Sequence, residues 1–179
     1  LIYLSHDNAE IEESILKQCS SGRVDGVLIS VSNETKDVAH VGKLKEENIP
    51  LVFFDRDIAN YVAPKVVTND QECGYMAAAH LVQRGCKHPV FLSISGSLSI
   101  CSKRLAGFTT ALTEAQVYHG DHHYLINCSS YNGADITLQI QNFLSQYPSV
   151  DGIVASGEKI AIHTYLACLN LNIRIPGDM

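Results

Sequence analysis

Short, solidly apolar runs alternate along this chain with longer segments that place an apolar residue every third or fourth position, the pattern of buried strands followed by amphipathic helices. Two of the runs share one phrase: Val24-Asp25-Gly26-Val27-Leu28-Ile29-Ser30 and Val150-Asp151-Gly152-Ile153-Val154-Ala155-Ser156. Each enters through Asp-Gly, leaves through Ser and precedes a helix-like stretch, as a parallel strand feeding a βα turn does. The recurrence predicts two similar α/β halves. Because open α/β sheets bind ligands at the carboxyl ends of their strands, the two Ser-bearing exits are expected to wall one cleft between the halves.

The pattern predicts a strand over Leu1–Leu4, then a helix capped by Asp7 or Asn8 with Ile11, Ile15, Leu16 and Cys19 on one face. After the first Asp-Gly strand, Val38, Val41 and Leu44 mark a helix ending near Asn48, and Leu51-Val52-Phe53-Phe54 is a strand closing on Asp55-Arg56. Periodicity is lost over residues 57–66, as in a connection between halves. Asn69 and Glu72 then resemble a capping box opening a helix with Cys73, Ala77 and His80 or Leu81 inward. Further strands are expected at Val90–Ile94, Tyr124–Ile126 and Val150–Ser156, with a last one beginning at Ile173-Arg174-Ile175-Pro176. Helices marked by Leu105, Phe108 and Leu112, by Ile136, Ile140, Phe143 and Leu144, and by Ile162, Tyr165, Leu166 and Leu169 lie between them. The expected fold class is α/β, with two parallel-sheet subdomains over residues 1–66 and 67–179. Three strands and two helices are thin for the first, which is therefore expected to be incomplete and preceded by a further strand and helix.

Composition narrows the function. With 46% hydrophobic and 18% charged residues, the chain buries a real core, and no run approaches the roughly 18 apolar residues of a membrane span. A net charge of −6, with 13 scattered basic residues, argues against nucleic-acid binding by this segment. Cys19, Cys73, Cys86, Cys101, Cys128 and Cys168 form no Cys-x-x-Cys pair and read as reduced thiols of a cytoplasmic protein. There is no Gly-rich dinucleotide or phosphate loop, no Gly-x-Ser-x-Gly elbow and no Cys/His catalytic pair, so the chain is read as no enzyme, with no cofactor. His122 and His123 are adjacent on a strand, point to opposite faces and lack a third ligand, so no metal site is expected.

The ordered series Asp25-Gly-Val-Leu-Ile-Ser30, Ile49-Pro-Leu-Val-Phe-Phe-Asp-Arg56, Val67-Thr-Asn-Asp70, Gly74-Tyr-Met-Ala-Ala-Ala-His-Leu-Val-Gln-Arg-Gly85 and Arg104-Leu-Ala-Gly-Phe108 resembles the effector-binding core of LacI/GalR-type transcriptional regulators. The resemblance implies two periplasmic-binding-protein-like subdomains of type I architecture and a dimer. It also implies a separate helix-turn-helix domain, absent from this chain, that contacts operator DNA. The expected function is sensing of a small hydroxylated effector, a sugar or sugar phosphate, without a membrane partner; an exported sugar-binding protein of the same architecture is the alternative.

Seven residues are candidates for the effector site. Arg104 follows a Ser/Gly-rich loop near a helix start, where a guanidinium can fork onto vicinal hydroxyls or an anionic group, and the resemblance implies an effector-contacting Arg at this position. Asp55 ends the most apolar strand, where a carboxylate accepts hydrogen bonds from hydroxyls, and the resemblance implies the same role. Ser156 and Glu158 follow the second Asp-Gly strand. Many members of the family carry Asn-Asp where Gly157-Glu158 stands, so Glu158 either substitutes for that contact or favours a helix start. Ser30 and Ser32 line the other exit, as ligand contacts or as turn residues. Tyr131 either stacks on a sugar face or packs. Asn69-Asp70 is read as capping and His80 as packing.

Overall fold

The computed structural model describes residues 1–32, 35, 38–58, 61–94, 99–117, 120, 123–126 and 133–179. They divide into two compact units, one of Leu1–Thr68 with Gly96–Ile100 and one of Asn69–Ser95 with Cys101–Met179.

The first unit contains α1 (Ala9–Cys19), β1 (Val27–Ile29), α2 (Ala39–Glu46), β2 (Leu51–Phe54) and β3 (Lys65–Val66), the strands pairing in parallel in the order β1-β2-β3. Asn8 starts α1 by accepting the Ile11 N–H at 2.9 Å, satisfying one orphan donor of the first turn. Asn48, in the left-handed region at φ 57°, turns the chain out of α2 so that Ile49 N–H reaches Leu44 O at 2.8 Å. Leu16, Cys19, Ile29, Val31, Val41, Leu44 and Phe53 form the core, and Tyr61 stands edge-on to Phe53 with ring centroids 5.7 Å apart.

The second unit contains α3 (Asp70–Gln83), β4 (Pro89–Ile94), α4 (Ser99–Glu114), β5 (His123–Ile126), α5 (Gly133–Gln146), β6 (Gly152–Ala155) and α6 (Glu158–Asn170), with a parallel sheet ordered β5-β4-β6. Strand periodicity divides its core in two. Val90 and Leu92 of β4 face Ile136, Ile140, Phe143, Leu144, Ile160 and Ala167 of α5 and α6, whereas Phe91 between them faces Ala78, Phe108, Ala111 and Leu112 of α3 and α4. The sheet is thus covered by helices on both faces, which is why Val90, Phe91 and Leu92 of β4 are apolar in succession instead of alternating. The Asp-Gly entry of β6 also has a structural account: the Asp151 carboxylate accepts the Lys87 and His88 N–H groups at 2.7 and 2.8 Å. A side chain at Gly152 would meet Cys86 Sγ at 3.0 Å. Burial, reinforced by the nearby Asp151 charge, pushes the Cys86 thiol up.

Several sequence expectations are corrected. Leu1–Leu4 forms no strand: it makes no ladder with β1, and Leu1 and Ile2 are each 93% exposed. The stretch after Asp55 contributes β3, two exposed residues too short to show a period. Asn69 caps no backbone N–H; its carboxamide donates to the Glu72 carboxylate instead. The inward face of α3 is Asp70, Gly74 and Ala78, and that of α6 is Ile160, Thr164, Ala167 and Cys168, leaving Ile162, Tyr165, Leu166 and Leu169 exposed. Ile173–Pro176 forms a turn rather than a strand, because the Arg174 side chain and N–H both bind Asp178 and fold the segment back.

Helices α3 and α4 touch backbone to backbone at Gly74 and Gly107: a Cβ on Gly74 would lie 1.9 Å from Arg104 O, and one on Gly107 1.8 Å from Gln71 O. Gly42, inside α2, has no atom within 4 Å of its would-be Cβ. Alanine at Gly42 is therefore expected to stabilise the protein by about 0.5–1 kcal/mol through helix propensity. Alanine at Gly74 or Gly107 is expected to destabilise it by about 1–3 kcal/mol, because the helices must part. Denaturant unfolding of the three variants reads the opposite signs.

Candidate functional site

The close approach of α3 and α4 sets Arg104 beside Asp70, the first residue of α3. Asp70 Oδ1 receives Arg104 Nε at 2.9 Å and lies 2.8 Å from Nη2, while Nη1 donates to Ser156 O at 2.7 Å. The Asp70 side chain is fully buried and that of Arg104 is 29% exposed. Ser156 is itself buried, and its N–H donates to Leu92 O at 2.8 Å, extending the β4–β6 pairing one residue past β6. The guanidinium is therefore fixed at the carboxyl end of β6. These bonds use three of the five N–H groups and leave the other two to donate. A buried carboxylate in the first turn of α3 is favoured by the helix dipole and holds the guanidinium plane in one orientation.

Glu158 is exposed and opens α6 directly after Gly157, whose extended backbone supplies no side-chain cap. In the first unit, Ser30 is half-buried and Ser32 buried at the exit of β1, with Ser32 N–H donating to Glu12 Oε2 at 2.6 Å. Asp55 is exposed, in the left-handed region at φ 59°, and its N–H donates to Val66 O at 3.0 Å. Neighbouring Arg56 pairs with Asp7 instead of with Asp55. The buried carboxylate beyond β2 is Asp57, which receives Lys65 Nζ at 2.6 Å and Ser99 Oγ at 2.5 Å. The structure thus brings together Arg104 with Ser156 in one unit, and Ser30 with Ser32 on one loop in the other. Tyr131 lies outside the described residues.

Three buried acids were not anticipated as parts of these sites: Asp70, read from sequence as capping, Asp57 and Glu12. The signal for Glu12 was present, since it shares the i, i+4, i+7 stripe of α1 with Leu16 and Cys19. Asp70 shares such a stripe with Gly74 and Ala78, but glycine and alanine give it no hydrophobic signature. No described helix is long and apolar enough to cross a membrane.

The model of periplasmic binding proteins and the sugar-binding domain of the LacI family matches residues 2–179. The sucrose operon repressor of Streptococcus mutans is 28% identical over 180 residues, covering 100% of this chain and 52% of that protein. The chain therefore spans about half the length of that relative. Among solved structures, the transcription regulator CcpA of Lactococcus lactis superposes with a TM-score of 0.84 at 19% identity, covering 100% of this chain and 64% of that one. A complex of the transcriptional regulator CelR with cellobiose gives 0.79 at 19% identity, covering 96% and 52%. These relatives are repressors and regulators, not enzymes. With all but its first residue matched, the chain belongs to the family of periplasmic binding proteins and LacI-type sugar-binding domains.

Proposed function

We propose that this chain is the ligand-sensing part of a cytoplasmic, homodimeric LacI-type transcriptional regulator. It binds a small hydroxylated effector at the carboxyl ends of its strands and so modulates operator binding by a separate helix-turn-helix domain. The observation that carries this reading is the Arg104 guanidinium, fixed by Asp70 and Ser156 O with donors left at its edge. Paired with a buried carboxylate, it presents directed N–H groups more than net charge, which suits vicinal hydroxyls of a sugar; a sugar phosphate is the anionic variant of the same ligand. Ser30, Ser32, Asp55 and Glu158 sit at strand ends or the turns after them and supply further polar contacts. No bond is made or broken. The effector acts by favouring one of two conformations, a coupling worth typically about 1–3 kcal/mol at the DNA.

An exported binding protein is the competing reading within the same family. The free thiols of Cys19, Cys73, Cys86, Cys101 and Cys168, together with repressors among the curated relatives, favour the regulator.

Thermal unfolding of the full-length protein with sucrose, cellobiose, single hexoses and pentoses and their phosphates tests the reading. A binder at 100 times its dissociation constant adds about 2.7 kcal/mol to stability. Arg104→Lys, which keeps the charge but loses the fork, is expected to abolish most of that shift. A panel without a shift, or a shift undiminished in Arg104→Lys, refutes the assignment.

Stability gives an independent expectation. Arg104→Ala leaves Asp70 buried without its cation and is expected to lose about 3–5 kcal/mol in denaturant unfolding. Removing both charges, as in Asp70→Asn with Arg104→Ala, should recover part of that loss.

A further inference from the structure

Glu12 is an acid placed where a helix in a small unit ordinarily carries a hydrophobic side chain. It stands in the first turn of α1 yet is only 3% exposed, on the buried face that also carries Leu16 and Cys19. Its two oxygens meet three polar groups, two beyond the end of β1 and one in the first turn of α2. Ser32 N–H reaches Oε2 at 2.6 Å, Thr35 Oγ1 reaches Oε1 at 2.7 Å, and His40 Nε2 lies 2.9 Å from Oε1. Thr35 N–H also turns back to Ser32 O at 3.2 Å. One carboxylate thereby gathers the strand exit, the turn after it and the first turn of α2. Its partners lie 20, 23 and 28 residues away in the chain, so these bonds join separate elements and do not stabilise α1 locally.

We infer that Glu12 is the positioning residue of the β1-exit loop, holding Ser30 and Ser32 in the conformation with which they meet the effector; the inference rests on the function proposed above. A desolvated carboxylate is stable only while its donors surround it, so acid and loop are ordered together or not at all. Hydrogen bonds to charged groups are strong enough that losing them changes the population of an opened loop by about tenfold or more.

Three forms of the full-length protein decide it: wild type, Glu12→Leu and Glu12→Gln. Leucine keeps the volume and removes every acceptor. Glutamine can accept from Ser32 N–H through its oxygen and donate to Thr35 Oγ1 and to the His40 ring. Hydrogen exchange at the Ser32 amide reads the loop, and exchange at the Phe53 amide, bonded to Pro64 O inside the sheet, reads the core. The expected result is about tenfold faster exchange at Ser32 in Glu12→Leu, unchanged exchange at Phe53, and restoration by Glu12→Gln. Titration with the sugar that shifts the wild type most should show affinity falling in the leucine variant and returning in the glutamine variant. Unchanged exchange at Ser32, or equal acceleration at Ser32 and Phe53, overturns the inference, as does full sugar affinity in a leucine variant whose loop has opened. A wild type that binds no sugar refutes the proposed function instead, and exchange then decides the role of Glu12 in ordering the loop.

Discussion

The backbone contact between α3 and α4 is the constraint on which the second unit's site depends. At ordinary helix spacing the Arg104 side chain would not hold Asp70 and Ser156 O together in this geometry; at glycine spacing it does. The contact also fixes what the arginine can be. A guanidinium bound through Nε and Nη2 to a buried carboxylate cannot rotate freely as a surface arginine does, and its remaining donors point in set directions. Rigidity of that kind lowers the entropy lost when a ligand is bound.

The same unit shows why so much of the fold was legible. Helix α5 carries Ile136, Ile140, Phe143 and Leu144 at helical spacing against polar residues, and those four side chains are its buried face. β4 is covered on both sides and carries Val90, Phe91 and Leu92 in succession, and the repeated Asp-Gly phrase marks β1 and β6 as strands. Helix α6 is apolar around most of its circumference, so periodicity could not choose a face; the sheet side takes the compact Thr164, Ala167 and Cys168 and leaves Tyr165 and Leu169 outside. In α3 the packing is made by the absence of side chains, which no hydrophobic pattern records.

The candidate site divides along a similar line. Arg104 and Ser156 were readable as candidates because one follows a loop near a helix start and the other ends a strand, and the structure places them in contact with each other. The acids that organise those positions were passed over, because an acid near a helix start reads as a cap or a solvated charge by default, even where, as for Glu12, it shares a stripe with apolar residues. Asp70 and Glu12 are neither: both are buried, and their partners lie 34 residues away in one case and 20 or more in the other. Asp55, by contrast, was placed by sequence at a strand exit and is there, but the buried carboxylate of that region is Asp57, two residues on.

These placements reveal a common device at the two copies of the Val-Asp-Gly phrase. The exit of β6 is held at Ser156 O by Arg104, which is held by a buried acid in the first turn of α3. The exit of β1 is held at Ser32 N–H by a buried acid in the first turn of α1. A helix N-terminus is the place in each unit where a buried negative charge is least unfavourable, because the unpaired N–H groups of the first turn bias the local potential toward it. Directional bonds from such an acid specify an orientation that apolar packing of equal strength would leave free. One acid uses a cation as intermediary and the other receives the backbone directly. The β6 exit therefore presents a charged fork, whereas the β1 exit presents hydroxyls and amides.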